Sequence, residues 1–295
     1  MIEFRVPELS DKHWVKERLS KKDNLTCEYS FSNIFSYTEK MKLLIADVKG
    51  YLVTKCYIED TVGYCYPVGE GDIKEVLSLV IADMGKEENN CFLFGVSSDD
   101  KKELEMLFPE KFNILLDRDG ADYIYSSEDL ISLAGKKYQP KRNHISFFKK
   151  NYNWSYESMS SDNVGDCYNM NVKWLEKSGS IYSEDLETEL KIIRKVFENF
   201  EELGCKGAVI RVDGDVVAFA MGEEINTDTF CVHFEKAFSD LRGSYPMINQ
   251  QFVENELSEY KFIDREDDLG LENLRKAKLS YHPVRLPDKY EAWLK

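Results

Sequence analysis

The chain has 295 residues, of which 43% are hydrophobic and 13% aromatic, so it can bury the cores of two domains and is not a disordered chain. Its formal net charge of −15 disfavours diffuse binding to nucleic acid or to an anionic membrane surface, so an anionic ligand needs a local basic site. The seven cysteines are scattered and include no CxxC pair, which indicates reduced thiols in a core and excludes a disulfide framework or a zinc ribbon.

No stretch of the sequence has the pattern of a membrane span or of a secretion signal. The longest uninterrupted apolar run is Val216–Met221, whereas a spanning helix needs about 20 such residues. The N-terminus lacks the basic head, apolar stretch and small-residue cleavage site of a signal peptide. We therefore expect a cytoplasmic protein without a transmembrane segment.

The first half of the chain predicts a mixture of strands and helices. Apolar residues recur at alternate positions in the strands and at every third or fourth position in the helices. In chain order, the predicted elements are strand Phe4–Leu9, helices Asp11–Ser20 and Thr26–Lys40, strands Leu43–Val48, Tyr51–Ile58 and Val62–Val68, helix Asp72–Met84, strand Cys91–Val96, helix Asp99–Phe108 and strand Asn113–Leu116.

The second half predicts the same order of elements. These are strand Trp154–Ser160, helices Asp162–Ser178 and Ser183–Leu203, strands Gly207–Val212, Asp215–Glu223 and Thr229–Glu235, a helix over about 244–258, strand Lys261–Arg265, a helix over the next residues and an extended piece at 283–286. Ser183 is predicted to cap its helix and Gly204 to end it. The pair Asp213-Gly214 predicts a two-residue hairpin turn, because glycine adopts a positive φ without steric cost.

A repeated hairpin favours an internal duplication. Val48–Val53 aligns with Val212–Val217 at a constant offset of 164 residues, and the two halves share their element order. We predict two tandem domains at residues 1–134 and 154–295, joined by a basic linker helix at residues 135–153. Two unrelated α/β domains are the alternative.

The predicted linker reverses the charge of the chain. Residues 130–156 contain no acid, although the whole sequence has 54, and their cations stand among aromatic side chains. One interpretation is a nucleic-acid surface at residues 136–150, where cations hold phosphates and aromatic rings stack on exposed bases, as for the acceptor end of a tRNA. The other is an amphipathic connecting helix with a solvated basic side.

The junction Phe234–Asn249 is the first candidate site. A strand that ends near Glu235 and a helix that begins near Gly243 would present unpaired helix amides to an anion, with Arg242 as a clamp. Gly243 would let a phosphate approach the backbone closely. The alternative is an ordinary helix start with Arg242 in solvent.

His233 and Glu235 lie two residues apart on a predicted strand and therefore share one face of it. Together they could deprotonate an attacking amine, and a half-buried polar ladder is the alternative. A zinc site would need a third ligand, and the spacing of the sequence offers none, so we predict no metal.

The segment Asp264–Pro283 is the second candidate site. Helical geometry places Leu271, Leu274 and Tyr281 in an apolar stripe, with Arg275, Lys278 and His282 along its flank. Arg275 and Lys278 have leucines four residues before them and are expected to be free to bind a phosphate or carboxylate. In the preceding extended stretch, Glu266 would face the cleft and Arg265 would point the other way. Asp267 and Asp268 suit the start of the helix.

The element order resembles the GCN5-related N-acetyltransferase (GNAT) fold, here in tandem. The motifs at residues 141–145, 232–237, 242–245 and 264–283 resemble one family, the uncharacterised bacterial proteins related to the C-terminal catalytic domain of phosphatidylglycerol lysyltransferase. The resemblance implies an α/β fold of two tandem GNAT-like domains with mixed sheets. It also implies transfer of an acyl or aminoacyl group, with aminoacyl-tRNA as the donor in the characterised relatives.

The resemblance implies one catalytic role by position: in this fold a tyrosine on the helix after the fifth strand often protonates the leaving group, and Tyr281 is the candidate. The catalytic candidates are His233, Glu235, Glu266 and Tyr281. The candidates for binding the donor or an anion are Arg142, Asn143, Lys236, Arg242, Gly243, Ser244, Tyr245, Arg265, Arg275, Lys278 and His282. The segment at Arg242-Gly243 carries a single glycine where acetyl-CoA-binding members of the fold have an Arg/Gln-x-x-Gly-x-Gly/Ala loop.

We expect acyl or aminoacyl transfer to an amine or hydroxyl, with the second domain catalytic and the first degenerate. The donor would be aminoacyl-tRNA or acyl-CoA, no cofactor would be tightly bound, and the acceptor would be a small molecule or a lipid headgroup. A CoA-dependent N-acyltransferase and a non-catalytic module that binds an anionic ligand are the alternatives.

Overall fold

The computed structural model describes residues 2–23, 25–177 and 184–295, with residues 184–186 described by their backbone alone. The described strands are β1 (Leu44–Val48), β2 (Tyr51–Ile58), β3 (Thr61–Cys65), β4 (Val68–Gly69), β5 (Asn90–Val96), β6 (Phe112–Asp117), β7 (Ile124–Ser126), β8 (Trp154–Ser158), β9 (Lys206–Val212), β10 (Asp215–Asn226), β11 (Thr229–Ala237), β12 (Phe262–Asp264) and β13 (Lys289–Leu294). The described α-helices are α1 (Lys12–Leu19), α2 (Phe31–Ser36), α3 (Thr38–Met41), α4 (Ile73–Met84), α5 (Ser98–Leu107), α6 (Ser127–Ser132), α7 (Gln139–Asn151), α8 (Val164–Lys177), α9 (Glu184–Glu198), α10 (Phe200–Leu203), α11 (Ser244–Glu256) and α12 (Glu272–Leu279).

The chain forms two compact units whose boundaries differ from the predicted domains. The first unit comprises Met1–Asp122, Asp267–Arg275 and Leu286–Lys295, and the second comprises Tyr123–Glu266 and Lys276–Arg285. Each unit is built around its own sheet. The two domains at residues 1–134 and 154–295 stay a prediction.

The first unit has a mixed sheet in the order β1-β2-β3-β5-β13-β6, with β4 paired to β2. Its strands are antiparallel except for the parallel pair β3 and β5. Helix α4 begins at Asp72, whose carboxylate accepts hydrogen bonds from two backbone amides of the first turn. The helix buries Val76, Leu77 and Val80 in the core of this unit.

The second unit has a mixed sheet in the order β7-β12-β11-β10-β9-β8. Here β11 and β12 form the parallel pair, and the other neighbours are antiparallel. Within each sheet, therefore, the last strand of an antiparallel run enters the parallel pair; the run is β1-β2-β3 in the first sheet and β8-β9-β10-β11 in the second. An antiparallel strand from the other half of the chain then pairs beside it: β13 beside β5, and β7 beside β12.

The two predicted hairpin turns are confirmed. Val48 pairs with Tyr51, and Val212 pairs with Asp215. In both turns the two central residues have a positive φ, which is the conformation that a right-twisted two-residue hairpin requires. Glycine takes the second central position of each turn without steric cost, and Lys49 and Asp213 take the first.

Several predicted boundaries are wrong. Phe4–Leu9 is not a strand: it contributes a single bridge from Arg5 to Ile45 and then enters a 3-10 turn. Helix α12 ends at Leu279, so Tyr281 and His282 lie beyond it and the helical projection does not apply to them. The predicted extended piece at residues 283–286 makes a single bridge, from Arg285 to Ile124, and a further strand that was not predicted, Lys289–Leu294, follows it. The predicted cap Ser183 lies outside the described residues.

Within the described residues, no helix is both long enough and apolar enough to cross a bilayer.

Candidate active site of the second unit

The parallel strands β11 and β12 separate within the second unit. They pair from Thr229 with Phe262 as far as Cys231 with Asp264, where β12 ends, while β11 continues to Ala237. The side chains that follow on the two strands therefore border a gap in the sheet. This gap is the candidate active site.

A β-bulge shapes the β11 side of the gap. Met221 is paired with Phe234, and Gly222 with Val232, so His233 is the extra residue on β11. Gly222 is needed here, because a Cβ atom at this position would overlap the carbonyl oxygen of Cys231. The regular alternation that predicted a shared face for His233 and Glu235 is therefore interrupted.

An ion pair crosses the gap. The guanidinium Nη2 of Arg265 donates to Oε1 of Glu235 at 2.8 Å, and the amide of Asn249 on α11 donates to Oε2 at 3.0 Å. Both carboxylate oxygens of Glu235 are thus occupied. Since the side chains of Glu235 and Arg265 are only 11% and 12% exposed, water screens the pair weakly.

The guanidinium of Arg265 also contacts two aromatic rings. Its central carbon lies 4.7 Å from the ring centre of Tyr281 and 5.5 Å from that of Tyr125. Its Nη1 atom is buried and has no hydrogen-bond acceptor, and Oδ1 of Asn249 is likewise buried without a donor. A ligand with an acceptor oxygen would satisfy the free N–H groups of Arg265.

Lys141 of α7 also contacts the ring of Tyr281. Its Nζ atom is 3.7 Å from the centre of the Tyr281 ring and donates to Oγ of Ser280 at 2.7 Å. Burial, together with the nearby charge of Arg265, lowers the pKa of Lys141 to about 8. Burial raises the pKa of Tyr281, so its phenol keeps its proton at neutral pH. The site therefore holds a lysine that is readily deprotonated and a tyrosine that can donate a proton.

His233 lies at the start of the gap between two carboxylates. Its Nδ1 is 2.9 Å from Oε1 of Glu266, and its Nε2 is 3.7 Å from Oε1 of the fully buried Glu223. Burial alone would lower the pKa of His233, but hydrogen bonds to Glu223 and Glu266 outweigh it and raise the pKa to about 9. At neutral pH the ring is therefore protonated and has no lone pair with which to act as a base.

The first turn of α11 offers little to an anion. The amide of Ser244 donates to the carbonyl of Leu241, that of Met247 donates to the carbonyl of Gly243, and Pro246 has no N–H. At most one amide of this turn remains for a ligand. The guanidinium of Arg242 lies 4.6 Å from the ring centre of Phe147.

Gly243 serves close packing against α7. It has a φ of +95°, and a Cβ atom here would overlap the carbonyl oxygen of His144. Gly214 has a similar φ of +92° with no atom within 4 Å of its Cβ position, which makes it a matched control. We expect Gly214→Ala to cost about 1–2 kcal/mol through the positive φ alone.

Gly243→Ala is expected to cost about 1–3 kcal/mol more than Gly214→Ala, because α7 must also move. Urea unfolding of both variants measures this difference. Equal costs would show that Gly243 is not a packing contact.

The remaining anion-site candidates are engaged elsewhere. Lys236 pairs with Glu189 at 2.5 Å, and Tyr245 is half-buried. Arg142 donates to the backbone carbonyls of Leu133 and Gly135, and Asn143 accepts from Gln139 at 2.7 Å. These contacts stabilise loops and helix ends within the second unit.

Arg275 and Lys278 are not free cations. In the first unit, Arg275 binds Asp268 through two nitrogens at 2.8 and 2.7 Å, and Asp119 at 2.7 Å. In the second unit, Nζ of Lys278 donates to the carbonyl of Arg265 at 2.6 Å. The ring of His282 stacks edge-on against that of Tyr138, at 5.3 Å. The expectation that Arg275 and Lys278 lack partners is therefore wrong.

Sequence reasoning missed two residues of this site. Asn249 was one polar residue within a helix, and Lys141 was one of several cations in the predicted linker. A signal for Lys141 was its place at the head of the motif at residues 141–145. Asn249 carried no signal, since only the fold brings it to Glu235.

Comparison with known proteins identifies the family. The model of the family described as "Phosphatidylglycerol lysyltransferase, C-terminal" matches residues 21–292. The chain belongs to this family. The predicted resemblance is thus confirmed over almost the whole chain.

Solved structures show the same fold. A conserved protein of unknown function from Bacteroides thetaiotaomicron VPI-5482 is 39% identical, with a TM-score of 0.95 and coverage of 100% of both chains. The structure of L-PGS from Bacillus licheniformis is 12% identical, with a TM-score of 0.67 over 98% of this chain and 92% of that chain. A tandem GNAT protein from the clavulanic acid biosynthesis pathway is 9% identical, with a TM-score of 0.55 over 100% of this chain and 98% of that one. The predicted mixed α/β fold of the GNAT type is therefore confirmed.

A curated relative matches part of the chain. An uncharacterized protein of Mycoplasmoides gallisepticum is 24% identical over 197 residues, which is 64% of this chain and 61% of that relative. The aligned region thus spans about three fifths of the relative's length.

Proposed function

We propose that the second unit transfers an aminoacyl group from aminoacyl-tRNA to an amine or hydroxyl acceptor. Family and fold support a GNAT-like acyl or aminoacyl transferase related to lysylphosphatidylglycerol synthetases. The observation that carries the proposal is the unsatisfied Nη1 of Arg265, held between Glu235 and Tyr281 at the gap. It is a fixed donor in a buried place, as needed for the oxygen of a reacting ester.

Each group would have one task in the reaction. The acceptor nitrogen or oxygen attacks the ester carbonyl carbon, and Arg265 stabilises the negative charge that develops on the carbonyl oxygen. Neutral Lys141 takes the proton of the acceptor, and the phenol of Tyr281 gives a proton to the departing ribose oxygen. A carbon–nitrogen or carbon–oxygen bond forms as the ester carbon–oxygen bond breaks. Glu235 and Asn249 position Arg265 and do not touch the substrate.

Helix α7 supports a tRNA donor. Besides Lys141 it carries Lys149 and Lys150, and Lys136 and Lys137 directly precede it; these four lysines are exposed. In the second unit they supply the local basic surface that an acidic chain needs to hold a phosphate backbone. Binding through these lysines would weaken steeply as the salt concentration rises.

The contacts at Gly243 argue against CoA as the donor. A pyrophosphate needs several backbone amides at a helix start, and the first turn of α11 has at most one available. The carbonyl of His144 also fills the space beside Gly243 that a phosphate would approach.

The proposal is tested by binding of donor fragments to the wild-type chain. A non-hydrolysable 3′-aminoacylamido-adenosine and CoA are titrated separately and followed by calorimetry, with Arg265→Lys as the variant. We expect the adenosine analogue to bind and Arg265→Lys to weaken its binding. Binding of CoA alone would replace the proposal by a CoA-dependent N-acyltransferase, and binding without turnover of aminoacyl-tRNA would leave a non-catalytic module.

A further inference from the structure

A second cluster of reactive side chains lies where β11 and β12 stop pairing. Sγ of Cys231 is 3.7 Å from Nδ1 of His233 and 3.8 Å from Oε1 of Glu266, and these last two atoms are 2.9 Å apart. All three atoms lie within 4.8 Å of one another. This group leaves no pattern in the sequence, because residues 231 and 266 meet only through the parallel pairing of their strands.

We propose that Cys231, His233 and Glu266 bind one thiophilic divalent cation, with Zn²⁺ as the best-fitting ion. Tetrahedral zinc with bonds of about 2.0–2.3 Å separates its ligand atoms by about 3.3–3.7 Å. The three observed separations are close to this range, so small rotations of the side chains suffice. Thiolate, imidazole and carboxylate are all ligands that zinc accepts.

The surroundings of the cluster favour a cation. Glu223 and Glu266 face the two ring nitrogens of His233, and the carboxylate of Asp264 lies beside the sulfur of Cys231. Glu223 and Asp264 are both fully buried. Among the described contacts, the oxygen nearest to Sγ of Cys231 is Oδ2 of Asp264, at 3.4 Å. A divalent ion would offset this buried negative charge as the thiol and imidazolium protons leave.

Glu223 lies where it can orient the imidazole of His233. It faces Nε2 of His233 at 3.7 Å while Nδ1 faces the proposed site. A carboxylate on the second ring nitrogen fixes the tautomer and orientation of a metal-binding histidine. A carboxylate on the second ring nitrogen is expected at a metal site and is not expected in a chance cluster of acidic residues.

A similar group in the first unit provides a contrast. Cys27, Asp122 and Asp267 also bring possible ligand atoms together. There, however, Nζ of Lys289 lies 3.0 Å from Oδ2 of Asp122 and 4.0 Å from Sγ of Cys27, so an ammonium already occupies the place beside both groups where a metal ion would bind. We expect no metal at that group, and Cys27→Ser is therefore a matched control for Cys231→Ser.

The experiment uses the full chain after treatment with a chelator, titrated with Zn²⁺ and with Co²⁺. We expect one ion per chain and, with Co²⁺, the near-ultraviolet charge-transfer band that a cobalt–thiolate bond produces. Cys231→Ser loses this band, Cys27→Ser keeps it, and Glu223→Gln keeps it with an affinity lowered by about 10–100-fold.

Three results would overturn the proposal: no band in the wild-type chain, a band that survives in Cys231→Ser, or a band that Cys27→Ser abolishes. If Cys231→Ser does not fold, Glu223→Gln keeps the proposal testable, because an affinity for Co²⁺ equal to that of the wild-type chain would place the ion away from His233. No transfer assay is involved, so a negative result here leaves the proposed function untouched.

Discussion

Arg265→Lys is expected to lower the single-turnover rate of aminoacyl transfer by about 10²–10³-fold, the typical cost of losing one donor to a developing oxyanion. Lysine keeps the positive charge that Glu235 needs. It cannot donate to Glu235 and to a substrate oxygen through a fixed planar fork, nor stack on Tyr281 as arginine does. The measurement is quenched-flow transfer at saturating enzyme, with circular dichroism to confirm the fold.

Arg211→Lys is the matched control for this experiment. Arg211 likewise forms side-chain ion pairs, with Glu157 at 2.8 Å and Asp166 at 2.7 Å, and belongs to the same unit. It belongs to β9 and makes none of the described contacts of the gap, so its replacement should leave the rate within a few-fold of wild type. A rate for Arg265→Lys equal to that of Arg211→Lys would remove Arg265 from the mechanism.

Lys141→Arg is expected to abolish the alkaline rise of the transfer rate. The pKa of Lys141 is lowered to about 8, so the neutral amine that acts as a base is lost as the pH falls through about 8. Wild-type kcat/KM should therefore rise up to about pH 8 and then level off. Arginine stays charged throughout, so the variant should be slower by about 10²–10⁴-fold, with a flat profile.

Lys149→Arg, on the same helix but exposed, is the control for Lys141→Arg. It should keep the wild-type pH profile, with rates corrected for the uncatalysed hydrolysis of the ester at each pH. A wild-type profile without a rise near pH 8, or the same rise in Lys141→Arg, would contradict the role of Lys141 as a base.

The same pKa shift affects stability. Between about pH 8 and the ordinary lysine value of 10.5, the unfolded chain binds more protons at this residue than the folded chain does. The contribution of Lys141 to the free energy of unfolding therefore rises with pH over that range.

Much of the local structure follows from short-range chemistry. Asp213-Gly214 specifies its turn because glycine carries the positive φ, and Asp72 begins α4 by binding its free amides. Strands β7 and β13, which each pair with a strand from the other half of the chain, could not be predicted in the same way. β7 has only three residues, and the pairing of β13 with β5 joins residues about 200 positions apart, so neither leaves a local pattern.

The candidate site was predictable in part. Glu235, Arg265 and Tyr281 were named from their motifs, and the structure joins them in one contact network. The helical-wheel argument for Arg275 failed because its partners are Asp268, seven residues earlier, and Asp119, far away in the sequence. An acid four residues before a cation is one possible partner among many, and its absence does not leave the cation free.

The most direct test of the account is a comparison of donors in a transfer reaction by the wild-type chain. Aminoacyl-tRNA and acetyl-CoA are each supplied with a panel of amine and hydroxyl acceptors, and the acylated product is followed by mass spectrometry. The account predicts acceptor-dependent loss of the aminoacyl ester and no product from acetyl-CoA. Acetylated product from acetyl-CoA, with aminoacyl-tRNA left intact, would contradict it.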